Sequence, residues 1–555
     1  MTQNVQDEDA RIESLELAAA GYKQAMPRRF SLWSLAALAF DLTCTWLGVG
    51  SSIGIGLTEA SAAGVLWTIV VAGCMSTCTL ALSMIVAAGM AELASAYPVA
   101  GAQYYWSFMV ASEEYKPFTS FFNGWISIIG WWLGAASVAN FISAMILEIV
   151  LVWHPEFEVQ HWQQYLVYVG ITWIAVAINI FASRYIPLFN KLIFVLAILT
   201  LTGTMLALFV ISRNEHAPTD WVFGDTNNRT GWPSDGFAFM LAISNAVYSF
   251  LGSDCGAHLC EEIPNPAKNV PRVILYPLLV GMLTAFPFAV SLLYAITDLE
   301  AVFSSPTGLP LIEIYHQGTH SRVAASVLLA LFAFCFFGNL VANGERLRPF
   351  KGMNNESDNF RNNMLSHPMG GVARRHIAIQ PSLDERQREV RDATQRYSTQ
   401  RNIHNRSTTA FSAMVSAAII FQQTSCVIPQ AIVLFRGRDK VLPPRHFNLG
   451  RLGPIINATA VAWVVFLDVL YCFPVALPVT AQNMSYVSVV STGLVLFVIG
   501  LWFTTKRNVF KGSKVDYELM NERRLAAIGG ETIGIVVDAK TDIVHHRGKR
   551  TSDEE

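Results

Sequence analysis

Long apolar runs recur along this chain, and they constrain it more than any other feature. They fall near residues 33–58, 65–90, 118–152, 164–183, 188–211, 237–258, 273–296, 323–343, 410–435, 455–477 and 485–505. Each approaches or exceeds the roughly 20 apolar residues that a helix needs to cross a bilayer. In hydrocarbon the backbone must satisfy its own hydrogen bonds, so such runs fold as packed helices. The expected fold class is therefore all-α, a polytopic membrane protein with the lipid bilayer as its solvent. Composition agrees. Of 555 residues, 52% are hydrophobic and 14% charged, and mean hydropathy is +0.38, whereas a soluble domain carries about a quarter charged residues. A formal net charge of -2 supplies no basic field, so no nucleic-acid partner is expected.

The eight cysteines lie in or beside apolar runs and read as buried thiols that pack as small hydrophobes. Cys74 and Cys78 share a helix face, but no His or second pair completes a zinc site. No metal and no cofactor are expected. Residues 1–30 are polar and lack the pattern of a signal peptide.

Lys and Arg accumulate on the cytoplasmic side of membrane proteins. With the N-terminus inside, the inner loops carry Lys116, then Arg184 and Lys191, then Lys268 and Arg272. The outer loops near 153–163, 212–236 and 297–322 are poor in basic residues, and Asn228-Arg229-Thr230 on that side is a short glycosylation sequon. The alternation holds through eight spans.

Two runs are interrupted. Span one contains Gly48, Gly50, Gly54 and Gly56, with Ser51 and Ser52 between them. Each glycine weakens a helix by about 1 kcal/mol relative to alanine. Either the stretch permits a close helix–helix contact, or it unwinds and offers backbone groups to a ligand. The glycines alone leave both readings open. Span six runs Ser244-Asn245-Ala246-Val247-Tyr248-Ser249-Phe250-Leu251-Gly252-Ser253-Asp254. An ionisable Asp254 at membrane depth points to function; the bland alternative is an Asp at the inner edge, satisfied by water or backbone. Interruptions at positions one and six are the pattern of a five-plus-five inverted-repeat transporter, in which the breaks meet at the midplane.

After span two the chain reads Ala91-Glu92-Leu93-Ala94-Ser95-Ala96-Tyr97-Pro98-Val99-Ala100-Gly101-Ala102-Gln103-Tyr104-Tyr105-Trp106. After span six it reads His258-Leu259-Cys260-Glu261-Glu262-Ile263-Pro264-Asn265-Pro266, then Asn269-Val270-Pro271-Arg272. These motifs resemble the amino acid/polyamine/organocation permeases, in their fungal branch of choline, GABA and amino acid permeases. The stretches from Asn483 to Val490 and from Trp502 to Arg507 look closest to the choline-permease-like members. The resemblance implies a LeuT-like fold of twelve spans in the plasma membrane. It implies a secondary transporter that imports choline, GABA or a related amino acid by alternating access, with a proton as coupling ion. Carried over, it implies a substrate site of Gly50, Ser51, Ser52 and Gly54 at a span-one break, with Tyr248, Phe250, Gly252 and Asp254 at the span-six break. Trp46, Trp131, Trp132, Tyr248 and Phe250 would offer aromatic faces to a quaternary ammonium, although packing explains each Trp equally well. Asn140, Asn339 and Gln422 are further polar candidates, with interhelical hydrogen bonding as the alternative. Glu92, Glu261 and Glu262 are candidates for inner gating, or for a structural contact to Arg or Lys. No catalytic residue is expected: the sequence holds no HExxH, so the chain does not read as an enzyme.

Residues 344–409 depart from the family. They are polar and basic, without an apolar run near the ~17-residue minimum for a span, where the family places span nine. The expected organisation is a cytoplasmic tail 1–30, spans one to eight over 31–343, this insertion over 344–409, the last three spans over 410–505 and a cytoplasmic tail 506–555. Strict alternation would then start 410–435 on the inside. Arg436, Arg438, Lys440, Arg445 and Arg451 would face outward, and so would Lys506 and Arg507, against the charge rule. A re-entrant segment, a retained intron or a wrong gene model would each account for the conflict. The rival functions are a nutrient sensor on the same fold and a non-transporting product of the insertion.

Overall fold

Helix replaces nearly every expected run in the computed structural model, which describes residues 40, 43–76, 84–212, 215–258, 260, 263, 265–303, 309–346, 401–480 and 483–512. Among these residues there is no strand, and ten helices are long and apolar enough to cross a membrane. The elements used below are α1 Thr45–Ser76, α2 Met84–Ala96, α3 Ala102–Val110, α4 Lys116–Trp153, α5 His161–Phe181, α6 Ile186–Ile211 and α7 Asp235–Val247. They continue with α8 Pro266–Tyr294, α9 Leu311–Thr319, α10 Arg322–Arg346, α11 Arg401–Arg436, α12 Gly453–Leu470 and α13 Val487–Leu501.

Ten long helices match eleven expected runs because α1 is folded. Ser61 leaves helical geometry (φ 53°, ψ -165°). A Cβ built on Gly56 would lie 3.0 Å from Val65 Cγ2, whereas nine residues of straight helix span about 13 Å. The chain therefore turns back at Ser61, and α1 carries the end of span one and the start of span two. Asp225 braces the corner: its carboxylate accepts from Ser61 Oγ at 2.6 Å, and its carbonyl accepts from Ala63 N at 3.0 Å.

The bundle buries aromatic rings at its centre and leaves aliphatic faces outside. Trp46 sits edge-on to Phe288 and Phe332, with centroids 5.3 and 5.2 Å away. Each such pair contributes roughly 0.5–1.5 kcal/mol beyond area burial. Trp173 and Ile174 on α5, and Leu192, Val195 and Leu199 on α6, remain exposed. Lipid tails solvate such faces at no hydrophobic cost.

Contacts fix the direction of each helix. The C-terminal end of α4 meets the start of α10, where Trp153 Nε1 donates to Ser326 Oγ at 3.0 Å, and Phe141 packs on Phe336 further along. Towards the N-terminal end of α4, Asn123 Nδ2 donates to the Ser425 carbonyl at 3.1 Å, and Gly130 lies against the backbone of Gln422. Both α10 and α11 thus run antiparallel to α4 and parallel to each other, which strict alternation of two consecutive spans does not give. At the end of the bundle where α4 begins, Arg436 Nη1 donates to the Val110 carbonyl at 2.9 Å, and Arg438 and Arg445 pair with Glu92. Trp502 packs against Phe121, so the Lys506 end of the last described turn lies at that end as well. Helix extends into both edges of the insertion, to Arg346 and from Arg401. Residues 347–400 lie outside the described residues, as do 1–39 and 513–555.

Candidate functional site

The span-six segment stops being helical where its residues stop favouring helix. Ser234 caps α7, its Oγ accepting from Phe237 N at 3.3 Å. After Val247 comes one tight turn, Tyr248–Phe250. Leu251 is extended (ψ 159°) and Gly252 takes φ +84°, a conformation that L side chains resist. A short turn, Cys255–His258, resumes the helical path. The interruption is present, as the small and polar residues indicated.

On span one the break falls at Cys44 (φ 33°). This corrects the expectation that Gly50, Ser51, Ser52 and Gly54 unwind: all four lie inside the helical run of α1. Gly50 packs against Phe332 and Phe288, while Ser51 and Ser52 return their hydroxyls to the Gly48 carbonyl at 2.9 and 2.8 Å. The penalty of about 1 kcal/mol per glycine is offset by the close packing that a missing side chain permits. Gly48 makes the decisive approach, since a Cβ there would lie 2.6 Å from the Ser249 Cα. The two interrupted segments touch at this point.

A cavity of about 60 Å³ opens where they meet. Cys44, Gly48, Leu251 and Gly252 form its backbone-rich walls. Trp131, Tyr248 and Phe336 contribute aromatic surface, and Asn339, Asn343 and Gln422 contribute amides. Among the described residues, no Asp, Glu, Lys, Arg or His lines it. Tyr248 Oη and Ser137 Oγ share a hydrogen bond of 3.1 Å, and Asn343 Nδ2 donates to Asn339 Oδ1 at 2.8 Å. Among the described residues Asn343 Oδ1 has no partner, which leaves it a ready acceptor. Such a wall suits a small organic cation, which aromatic faces and carbonyl oxygens stabilise without a formal counter-charge. A cavity of about 150 Å³ accommodates benzene, so this one must widen to admit a substrate.

Of the expected site residues, Trp131, Tyr248 and Gly252 line the cavity. Trp46 and Phe250 do not; both are buried in packing. Ser52 borders a smaller void of about 20 Å³ between α1 and α7. Asp254 lies behind the wall, 1% exposed. Its Oδ2 accepts from Gln103 Nε2 at 2.7 Å and from Trp131 Nε1 at 3.1 Å, and faces His258 Nε2 at 3.3 Å. Asn140 accepts from Gln164 across helices at 3.4 Å, which is the packing role, whereas Asn339 and Gln422 reach the cavity. Sequence reasoning missed Cys44, Phe336 and Asn343, for which no local signal exists. It also missed Gln103 and His258, although both stand inside the two quoted motifs.

Glu92 anchors the end of the bundle where α4 begins. Its side chain is 2% exposed and bridges Arg438 and Arg445. Arg438 Nε donates to Oε2 at 3.0 Å, Arg445 Nε to Oε1 at 2.7 Å, and Leu449 N to Oε1 at 3.1 Å. Glu261 and Glu262 lie outside the described residues.

A family model described as amino acid permease matches residues 30–342. The chain is similar to a choline transporter of Saccharomyces cerevisiae, 27% identical over 92% of this chain and 86% of that one. It is also similar to the amino-acid permease BAT1 of Arabidopsis thaliana, 26% identical over 90% and 95%. Among solved structures it is similar to a manganese transporter of Eremococcus coleocola, 13% identical, with a TM-score of 0.45 over 87% of this chain and 97% of that one.

Proposed function

Because the chain belongs to the amino acid permease family, a family of multi-pass membrane transporters and not of enzymes, we propose that it imports choline, GABA or a related amino acid across the plasma membrane by proton-coupled alternating access. The observation that carries this reading is the cavity at the meeting of the two interrupted segments. Its three aromatic rings and three amides, with no charged side chain among the described residues that line it, favour a small amine cation within that substrate class. Trp131, Tyr248 and Gly252 contact the substrate; Trp46, Phe250 and the Gly50–Gly54 stretch support the wall by packing. The Glu92–Arg438–Arg445 cluster holds the inner end closed and must loosen for release inward, with Glu261 and Glu262 as further candidates from the sequence. Uptake of radiolabelled choline, GABA and amino acids into a permease-deficient yeast tests the proposal. Saturable uptake of choline in excess of the others is expected. Surface-expressed protein that takes up none of them rules the reading out.

A further inference from the structure

The contact between His258 and Asp254 needs one proton more than a neutral imidazole and a carboxylate hold between them in this arrangement. His258 Nδ1 lies 3.1 Å from the Ala100 carbonyl oxygen. A carbonyl only accepts, so Nδ1 carries hydrogen. The opposite ring nitrogen, Nε2, faces Asp254 Oδ2 at 3.3 Å. In the neutral ring with hydrogen on Nδ1, Nε2 presents a lone pair. A carboxylate oxygen presents another, and the two repel. The observed approach therefore requires one more proton, held either as imidazolium with carboxylate or as imidazole with carboxylic acid.

We propose that His258 and Asp254 together form the proton-binding site of the transport cycle, one hydrogen bond behind the cavity. The proposal rests on the transporter reading above. The pair is placed for exchange and for coupling. His258 is 20% exposed beside the inner loop that bears Ala100, while Asp254 is 1% exposed. On the cavity side, Asp254 Oδ2 holds the indole of Trp131, which forms part of the wall. Facing the pair are Gln103 from α3 and Trp131 from α4, with Cys255 on the same segment and Cys426 from α11 as neighbouring thiols.

Loading adds one proton from water and brings the pair from net charge -1 to neutral. Unloading returns that proton to water at the inner face and leaves a carboxylate opposite a lone pair. His258 must then swing away. The indole of Trp131 faces a fully charged acceptor, and charge-assisted bonds are roughly twice as strong as neutral ones. Proton and substrate thus act on one side chain from opposite faces, and each alters the affinity for the other by the same factor.

Reconstituted protein with radiolabelled choline tests this under a clamped membrane potential. One proton per choline lets an inward gradient of one pH unit support about tenfold accumulation by the native chain. His258→Gln is expected to abolish gradient-driven accumulation while still exchanging choline across the membrane at a reduced rate. Asp254→Asn is expected to do the same and serves as the second variant if the first does not fold. Accumulation by either variant equal to that of the native chain overturns the proposal. So does choline binding by the native protein, in lightly buffered detergent, with no proton taken up or released. A native chain that neither exchanges nor accumulates choline instead removes the transporter reading on which the proposal stands.

Discussion

Trp131 shows how much one side chain carries in this site. Its ring lines the cavity and its indole nitrogen binds Asp254. Trp131→Phe keeps an aromatic face and loses the hydrogen bond; Trp131→Ala loses both. A desolvated cation–π contact is worth about 2 kcal/mol, so Trp131→Ala is expected to raise the KM for a cationic substrate by about tenfold or more, and Trp131→Phe by less. Equal effects of the two, measured by uptake kinetics, exclude a cation–π role. Glu92 is a residue of the other kind. Its carboxylate compensates two guanidinium groups that are 7% and 6% exposed. Removing one partner of a buried pair costs about 3–5 kcal/mol, because the remaining charge stays buried. Glu92→Gln is therefore expected to lower thermal stability in detergent by several degrees, whether or not uptake survives.

At the scale of elements, the two breaks depend on different glycine properties. Gly252 supplies a positive φ, and Gly48 supplies a missing Cβ against the Ser249 backbone. Gly48→Val is expected to force the interrupted segments apart and abolish uptake. Gly170→Ala on α5, where a Cβ meets nothing within 4 Å, is expected to leave uptake unchanged and to stabilise its helix by about 1 kcal/mol. Uptake by the Gly48→Val chain at the level of the Gly170→Ala chain contradicts the close approach. The contrast also explains what the sequence made legible. Hydropathy alone located the long spans, because lipid enforces helix on any apolar run of that length. The span-six break was legible because Tyr248–Asp254 mixes polar and small residues within an apolar run. The span-one break was misplaced by a few residues, because a glycine's packing use and its unwinding use have the same composition. The Gln103–Asp254 bond joins residues 151 positions apart, and no local pattern announces such a contact.

At the scale of the whole molecule, the orientation of the last three long helices is the sharpest consequence of the structure. The parallel course of α10 and α11 puts Arg436, Arg438 and Arg445 beside Glu92, and it puts the end of α12 at the opposite face. There Tyr471 Oη donates to the Ser244 carbonyl, and Leu477 N donates to the Thr230 carbonyl at 2.6 Å. The reverse orientation would set a dense basic loop on the outer surface and part Glu92 from both its cations, which the charge rule and the cost of a buried unpaired carboxylate both oppose. Cys472, exposed just beyond α12, reports on this directly. In intact cells it is expected to react with a membrane-impermeant maleimide, and Cys472→Ser is expected to remove that labelling. In the Cys472→Ser background, Asn448→Cys, placed in the loop that pairs with Glu92, is expected to react only after the membrane is permeabilised. Protection of Cys472 together with labelling of position 448 in intact cells reverses the arrangement. It would make α11 enter from the inner side, as simple alternation demands, and would dissolve the packing that joins α11 to α4 and encloses the cavity.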